Sequence, residues 1–133
     1  MTLVLDTRAL LWSIGESNAL STAAREAIQD GAHDVLISAV SLWEIPFKVS
    51  LGTLGIGSLE IREIPSYCKE LGFTLIPLDP LEALAGAQLP LKAAHQDPFE
   101  RMLVSQCIRN KYTLVSPNKL LRLYQEEGLQ YIW

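Results

Sequence analysis

The sequence predicts an α/β fold with a central, mainly parallel sheet covered by helices on both faces. Three observations predict it. The runs Thr2–Leu5, Val35–Ser38, Phe73–Ile76, Tyr112–Ser116 and Leu129–Trp133 are short, apolar and bounded as buried strands are. Segments with helical spacing separate them. No internal repeat, low-complexity tract or linker breaks the alternation, so residues 1–133 are expected to form one domain.

The elements follow in order. After the strand Thr2–Leu5, Ala9–Ile14 reads as a short helix. Ser21 suits an N-cap for a second helix running to about Asp30. Beyond the strand Val35–Ser38, Val40, Trp43, Phe47 and Leu51 recur at helical spacing and end near Gly52. They are expected to pack in the core, Trp43 above all. Pro46 falls inside this segment and removes a backbone hydrogen bond, so the helix proper is expected to restart near it. Leu59–Leu71 reads as one amphipathic helix stopped by Gly72. Pro80–Leu89 is expected to be helical, and Asp97–Asn110 more clearly so, with Phe99, Leu103 and Cys107 on one stripe. Lys119–Tyr124 reads as a short helix before the last strand.

Hydrophobic residues make up 49% of the chain and charged residues 20%, which suits a full core and excludes a disordered chain. Met1–Asp6 lacks a positive segment and a long apolar stretch, so no signal peptide is expected. No apolar run approaches the length of a bilayer span, and a cytoplasmic location is expected. Cys68 and Cys107 have no metal-ligand spacing and read as reduced packing residues. The net charge of −4 is not the basic signature of a nucleic-acid binder. It is compatible with a carboxylate-lined site and a basic protein partner.

Ligands in parallel α/β sheets bind beyond the carboxyl ends of the strands, near the point where the strand order reverses. Asp6 lies directly after the first strand, where it is either a helix N-cap or a site residue. Glu44 flanks the Val40/Trp43/Phe47/Leu51 stripe, and its bland reading is an exposed pair with Lys48. Asp97-Pro98-Phe99-Glu100 matches a capping box, yet Glu100 shares a helix face with Leu103, Val104 and Cys107. A carboxylate among apolar neighbours needs a cation or hydrogen bonds. Asn118 follows another strand end and reads as a cap or a site residue. His95 is expected to be a solvated loop histidine. The fold would bring Asp6, Glu44, Asp97 and Glu100 to one edge, where they repel unless a cation lies between them. Oxygen donors without a cysteine or histidine cluster point to Mg²⁺ or Mn²⁺ rather than zinc.

Leu5-Asp6-Thr7-Arg8-Ala9-Leu10-Leu11-Trp12 resembles the opening of PIN-domain proteins of the VapC toxin group. Ser38–Glu44 with Lys48, Leu51 and Gly52 resembles the second block of that family. His95-Gln96-Asp97-Pro98-Phe99-Glu100-Arg101 with Leu103 and Gln106 resembles the third, and Thr113–Ser116 the fourth. The blocks run in order over essentially the whole chain. The resemblance implies a three-layer α/β/α sandwich and an endoribonuclease using Mg²⁺ or Mn²⁺. It implies a small antitoxin as partner, RNA as substrate and a homodimer, for which Trp12, Trp43 and Leu54 are candidate contacts. Residue by residue, it puts Asp6, Glu44 and Glu100 at the first three acidic positions, with Asp97 as an additional acid. Asn118 falls on the fourth. Thr7 and Ser116 would orient water, and Arg8, Lys48 and Arg101, close in sequence to the acids, would either meet phosphates or serve as surface ion-pairing residues. The chain departs from the pattern at three places. Glu100 and Asn118 stand where Asp is usual, and Arg8 where His is common. The lost charge at Asn118 favours one tight metal and keeps open a non-cleaving domain that binds RNA or protein. A phospho-acceptor receiver domain is disfavoured, because Thr7 follows Asp6 and no Asp ends either middle strand.

Overall fold

In a computed structural model all 133 residues, Met1–Trp133, are described. Five strands form one parallel sheet: β1 (Thr2–Leu5), β2 (Asp34–Ser38), β3 (Thr74–Ile76), β4 (Thr113–Val115) and β5 (Gln130–Ile132). Their order is β3-β2-β1-β4-β5. The chain starts in the middle, steps outward through β2 to β3, and returns to lay β4 on the other side of β1. The reversal therefore falls between β1 and β4, whose register pairs Leu5 with Val115. The next residues along, Asp6 and Ser116, leave the sheet side by side, and Asp6 N–H donates to the Val115 carbonyl at 3.0 Å.

Alternation along the strands sorts side chains to two faces. Leu3, Leu5, Val35, Ile37 and Val115 join one core, packed by α1 (Thr7–Ile14), α2 (Thr22–Gln29) and α4 (Ile64–Glu70). Val4, Leu36 and Leu114 join the other, with Phe99, Leu103, Val104 and Cys107 of α6 (Pro98–Asn110) and with Leu121 and Tyr124. α5 (Pro80–Gln88) packs against α6. This is the α/β/α sandwich expected from the sequence. Both cysteines are free and buried.

Helix α3 (Ala39–Ser50) differs most from expectation. It is continuous through Pro46, and no restart occurs there. Its buried face is Val40, Ser41, Glu44 and Ile45, while Trp43 is 63% exposed and Phe47 and Leu51 also lie open. The helix gives Val40 to one core and Ile45 to the other, so it sits where both meet at the carboxyl edge. That position turns Glu44 inward, and the aromatic stripe outward with it.

Three smaller corrections follow local rules. Leu59–Leu71 is not one helix: a 3₁₀ turn, Ile61–Glu63, precedes α4, because Pro65 is tolerated only in a helix's first turn. Lys119–Glu127 is a 3₁₀ stretch rather than a short α-helix, closed by Gly128 at φ 94°. The box expected at Asp97 is half made. Asp97 Oδ1 accepts from Phe99 N and Glu100 N at 2.9 and 3.0 Å, but Glu100 turns elsewhere. The complete box belongs to Asp79 and Glu82 at the start of α5.

Candidate active site

Asp6 caps α1 by accepting from Ala9 N at 2.8 Å, as its cap reading expects, with its other oxygen left outside the cap. It is buried, and desolvation raises its carboxyl from 3.8 to about 6. The nearby Ser116 hydroxyl, the Ala9 N–H and Arg8 pull it down, and the Glu100 charge pushes it up.

Glu44 is not the exposed half of a surface pair. It is 8% exposed, and its two oxygens are divided between neighbours. Thr7 Oγ1 donates to Oε1, and Lys48 Nζ donates to Oε2. Lys48 Nζ also donates to Asp97 Oδ2 at 2.7 Å. One ammonium thus ties α3 to the start of α6. Partial burial opposes its charge, but the Asp97 and Glu44 carboxylates outweigh that and raise its pKa. Burial pushes Asp97 up, and Lys48 with two backbone N–H groups outweighs it, leaving Asp97 below the usual carboxylate range.

Glu100 stands one turn into α6. Burial raises its pKa, Asn118 and Arg8 lower it, and the Asp97 and Glu44 charges raise it. Asn118 Oδ1 accepts from Leu120 N at 2.9 Å as the cap of the 3₁₀ stretch. That bond fixes the amide orientation, so Nδ2 faces Glu100 and donates to Oε1 at 2.7 Å. Asn118 is therefore joined to the cluster through its nitrogen, with its oxygen engaged by the backbone. Ser116 Oγ accepts from Asn118 N at 3.1 Å.

The structure brings Asp6, Glu44, Asp97, Glu100 and Asn118 to one edge, with Thr7, Ser116 and Lys48 among them. Arg8 is exposed beside them. Arg101, expected to meet phosphates, is instead buried and turned away. Its guanidinium donates to the Leu89 and Pro90 carbonyls and to Tyr124 Oη. His95, expected to be solvated, is 4% exposed and lies against Glu100. Sequence reasoning missed Tyr124 altogether. Its only signal was an aromatic in a segment that must close over α6.

The donors present fit a hard divalent cation. As they stand, no three His, Cys, Asp or Glu side chains lie close enough to share one ion. Lys48 bridges Glu44 and Asp97, and Asn118 occupies one oxygen of Glu100. Burial above all makes Asp6 and Glu100 resist ionisation, and neighbouring carboxylate charge adds to it. All its donors are oxygens, which suits Mg²⁺ or Mn²⁺.

The model of the PIN domain family matches residues 3–126. The chain belongs to the PIN domain family. No curated protein matches it in sequence. Among solved structures, VapBC2 from Rickettsia felis bound to a DNA fragment from their promoter shares the fold at TM-score 0.66 and 17% identity, covering 100% of this chain and 99% of that one. DNA-bound VapBC from Salmonella typhimurium matches at 0.65 and 16%, covering 99% and 97%. FitAcB from Neisseria gonorrhoeae matches at 0.62 and 14%, covering 98% and 96%. The PIN fold thus extends over the full length of chains of similar size, and in fold this PIN domain is similar to those chains. No helix is long and apolar enough to cross a membrane.

Proposed function

We propose that this PIN domain is a metal-dependent endoribonuclease, the toxin of a toxin–antitoxin pair, acting in the cytoplasm as a single domain. The observation that carries the proposal is the gathering of Asp6, Glu44, Asp97 and Glu100 at the strand-order reversal, two of them bridged by one lysine. Asp6, Glu44 and Glu100, with Asp97, would hold one Mg²⁺ or Mn²⁺. Such an ion supplies Lewis acidity toward water and phosphoryl oxygen.

The chain's own groups set the rest. Thr7 holds one oxygen of Glu44, and the Ala9 N–H holds one oxygen of Asp6, so both acids keep fixed directions. Lys48 balances Glu44 and Asp97 until a cation takes that role, and its ammonium is then free to meet a phosphate. Arg8, at the rim, adds a second positive contact. Water attacks phosphorus in line, the bond from phosphorus to the 3′ oxygen breaks, and the proton ends on that oxygen. The products are a 3′ hydroxyl and a 5′ phosphate.

The VapBC structures among the fold matches support a small antitoxin as partner, and the acidic cluster suits an arginine from it. A second copy of the chain would sit on the open face of α3. Of the three candidate contacts, Trp12 packs on Trp133 and Leu54 lies half-buried against the core. Trp43 is open, and stacks on Phe47 at 5.5 Å. Trp43→Ser should convert a dimer to monomers in light scattering. A monomeric wild type, or an unchanged variant, would rule this face out.

The test is cleavage of a structured-RNA pool by purified protein with EDTA, Mg²⁺ or Mn²⁺, beside Asp6→Asn. Metal-dependent cleavage that the variant lacks supports the reading. A second reading, a PIN domain that binds without cleaving, is favoured by the amide of Asn118 standing where a carboxylate is usual. RNA binding without cleavage by folded, metal-loaded protein would select it.

A further inference from the structure

We propose that Arg101, Tyr124 and His95 form a buried relay that, with Asn118, clamps one oxygen of Glu100 and leaves the other as its ligand oxygen. This rests on the reading of Glu100 as a site acid. The three are positioning residues, since none reaches the reacting atoms.

The geometry runs outward from Arg101. A guanidinium has only donors, and Arg101 Nη1 reaches Tyr124 Oη at 3.2 Å. The phenol oxygen therefore accepts, and its own hydrogen is free to be given onward. The group there to take it is His95 Nδ1, at 2.7 Å. A neutral imidazole that accepts at Nδ1 carries its proton on Nε2. A charged imidazole carries one there as well. Either way Nε2 carries a hydrogen; Glu100 Oε1 lies 3.5 Å away without a formed hydrogen bond, and this buried nitrogen has no other partner. The opposite tautomer would aim a lone pair at a carboxylate and leave the phenol proton unused.

The relay is built rigidly. Arg101 is anchored by the Leu89 and Pro90 carbonyls, and His95 N–H closes a turn on the Lys92 carbonyl at 2.9 Å. Lys92 pairs with Glu127 at 2.9 Å and lies 5.9 Å from the centre of the Tyr124 ring, covering its outer side. Asn118 Nδ2 approaches the same Oε1 at 2.7 Å. One formed hydrogen bond and one unpartnered N–H thus face the same oxygen of Glu100, and Oε2 accepts no hydrogen bond within the chain. Outer-shell partners of this kind orient ligand carboxylates, and losing one costs roughly 10–100-fold in metal affinity.

The probe is Mn²⁺, followed by electron paramagnetic resonance, with long-range ¹H–¹⁵N spectra of the His95 ring. A proton on Nε2 is expected in wild type, and a ring protonated only at Nδ1 would overturn the relay. Tyr124→Phe should release the fixed tautomer, and an unchanged His95 spectrum in that variant would also overturn it. For binding, His95→Gln puts an amide nitrogen near the Nε2 position and should keep Mn²⁺ affinity within about threefold of wild type. His95→Asn reaches only the Nδ1 position and should lose about tenfold or more. Equal affinity in both variants would refute the proposal. Glu100→Gln separates the two levels. If it loses Mn²⁺ while His95→Asn does not, the relay fails and the site stands. If it binds Mn²⁺ like wild type, the site reading fails first.

Discussion

Asp6→Asn should stabilise the metal-free protein and abolish its stabilisation by metal. The asparagine keeps an oxygen for Ala9 N and so preserves the cap of α1. What it removes is a charge in a dry place. Asp6 binds its proton more tightly when folded, with a pKa of about 6 against 3.8 in water. The folded state is therefore penalised above that value, and the penalty fades as pH falls toward the unfolded pKa. Linkage gives at most about 3 kcal/mol at about pH 8 and under about 1 kcal/mol at about pH 4. For a chain of this size, the gain corresponds to roughly 5–10 °C in melting temperature at the higher pH. Thermal melts of wild type and variant in EDTA at both pH values measure it. Adding Mn²⁺ should then raise the wild-type melting temperature and leave the variant unmoved. A variant less stable than wild type in EDTA at the higher pH would refute this account of Asp6 as a desolvated acid awaiting a cation.

Other perturbations separate the remaining parts of the site. Lys48→Met leaves Glu44 and Asp97 without their shared ammonium, so the EDTA form should lose about 1–2 kcal/mol in urea denaturation, less than a fully buried pair because Lys48 is partly exposed. The Asp97 pKa should rise in the same variant, read by carboxyl carbon shifts, and an unchanged value would break the link. Asn118→Asp sets a carboxylate against Glu100 Oε1 and should weaken Mn²⁺ binding. Tighter binding would mean that a second ion enters there. Arg101→Met strips two backbone carbonyls and a phenol of their donor and should cost about 3 kcal/mol of stability. Weaker RNA binding at unchanged stability would instead return Arg101 to phosphate contact.

Much of this architecture is legible in the sequence because the strands are short and the central three, β1, β2 and β4, are buried on both faces. Leu3-Val4-Leu5 and Val35-Leu36-Ile37 supply apolar side chains to two cores at once, which leaves few alternatives to a covered parallel sheet. The acids are legible because strand ends and helix starts are where such a sheet places them. α3 is the instructive failure. Hydrophobic periodicity points Trp43 and Phe47 inward, yet the helix turns Glu44 and Ser41 to the interior. A buried acid bonded to Thr7 and Lys48 replaces the apolar face that periodicity alone would have turned inward. The bonds of Lys48, Asn118 and Arg101 are hidden for another reason. Each depends on which of several partners a long or two-ended side chain selects, and spacing along the chain does not encode that choice. His95 becomes meaningful only once Tyr124, 29 positions away, is folded against it.

The central claim is that four acids at the reversal between β1 and β4 form one divalent-cation site. Calorimetric titration of Mn²⁺ into the metal-free protein tests it most directly. One tight site is predicted in wild type, with loss of binding in both Asp6→Asn and Glu44→Gln. Wild-type protein that binds no Mn²⁺, or that binds it equally well without either acid, would contradict the account.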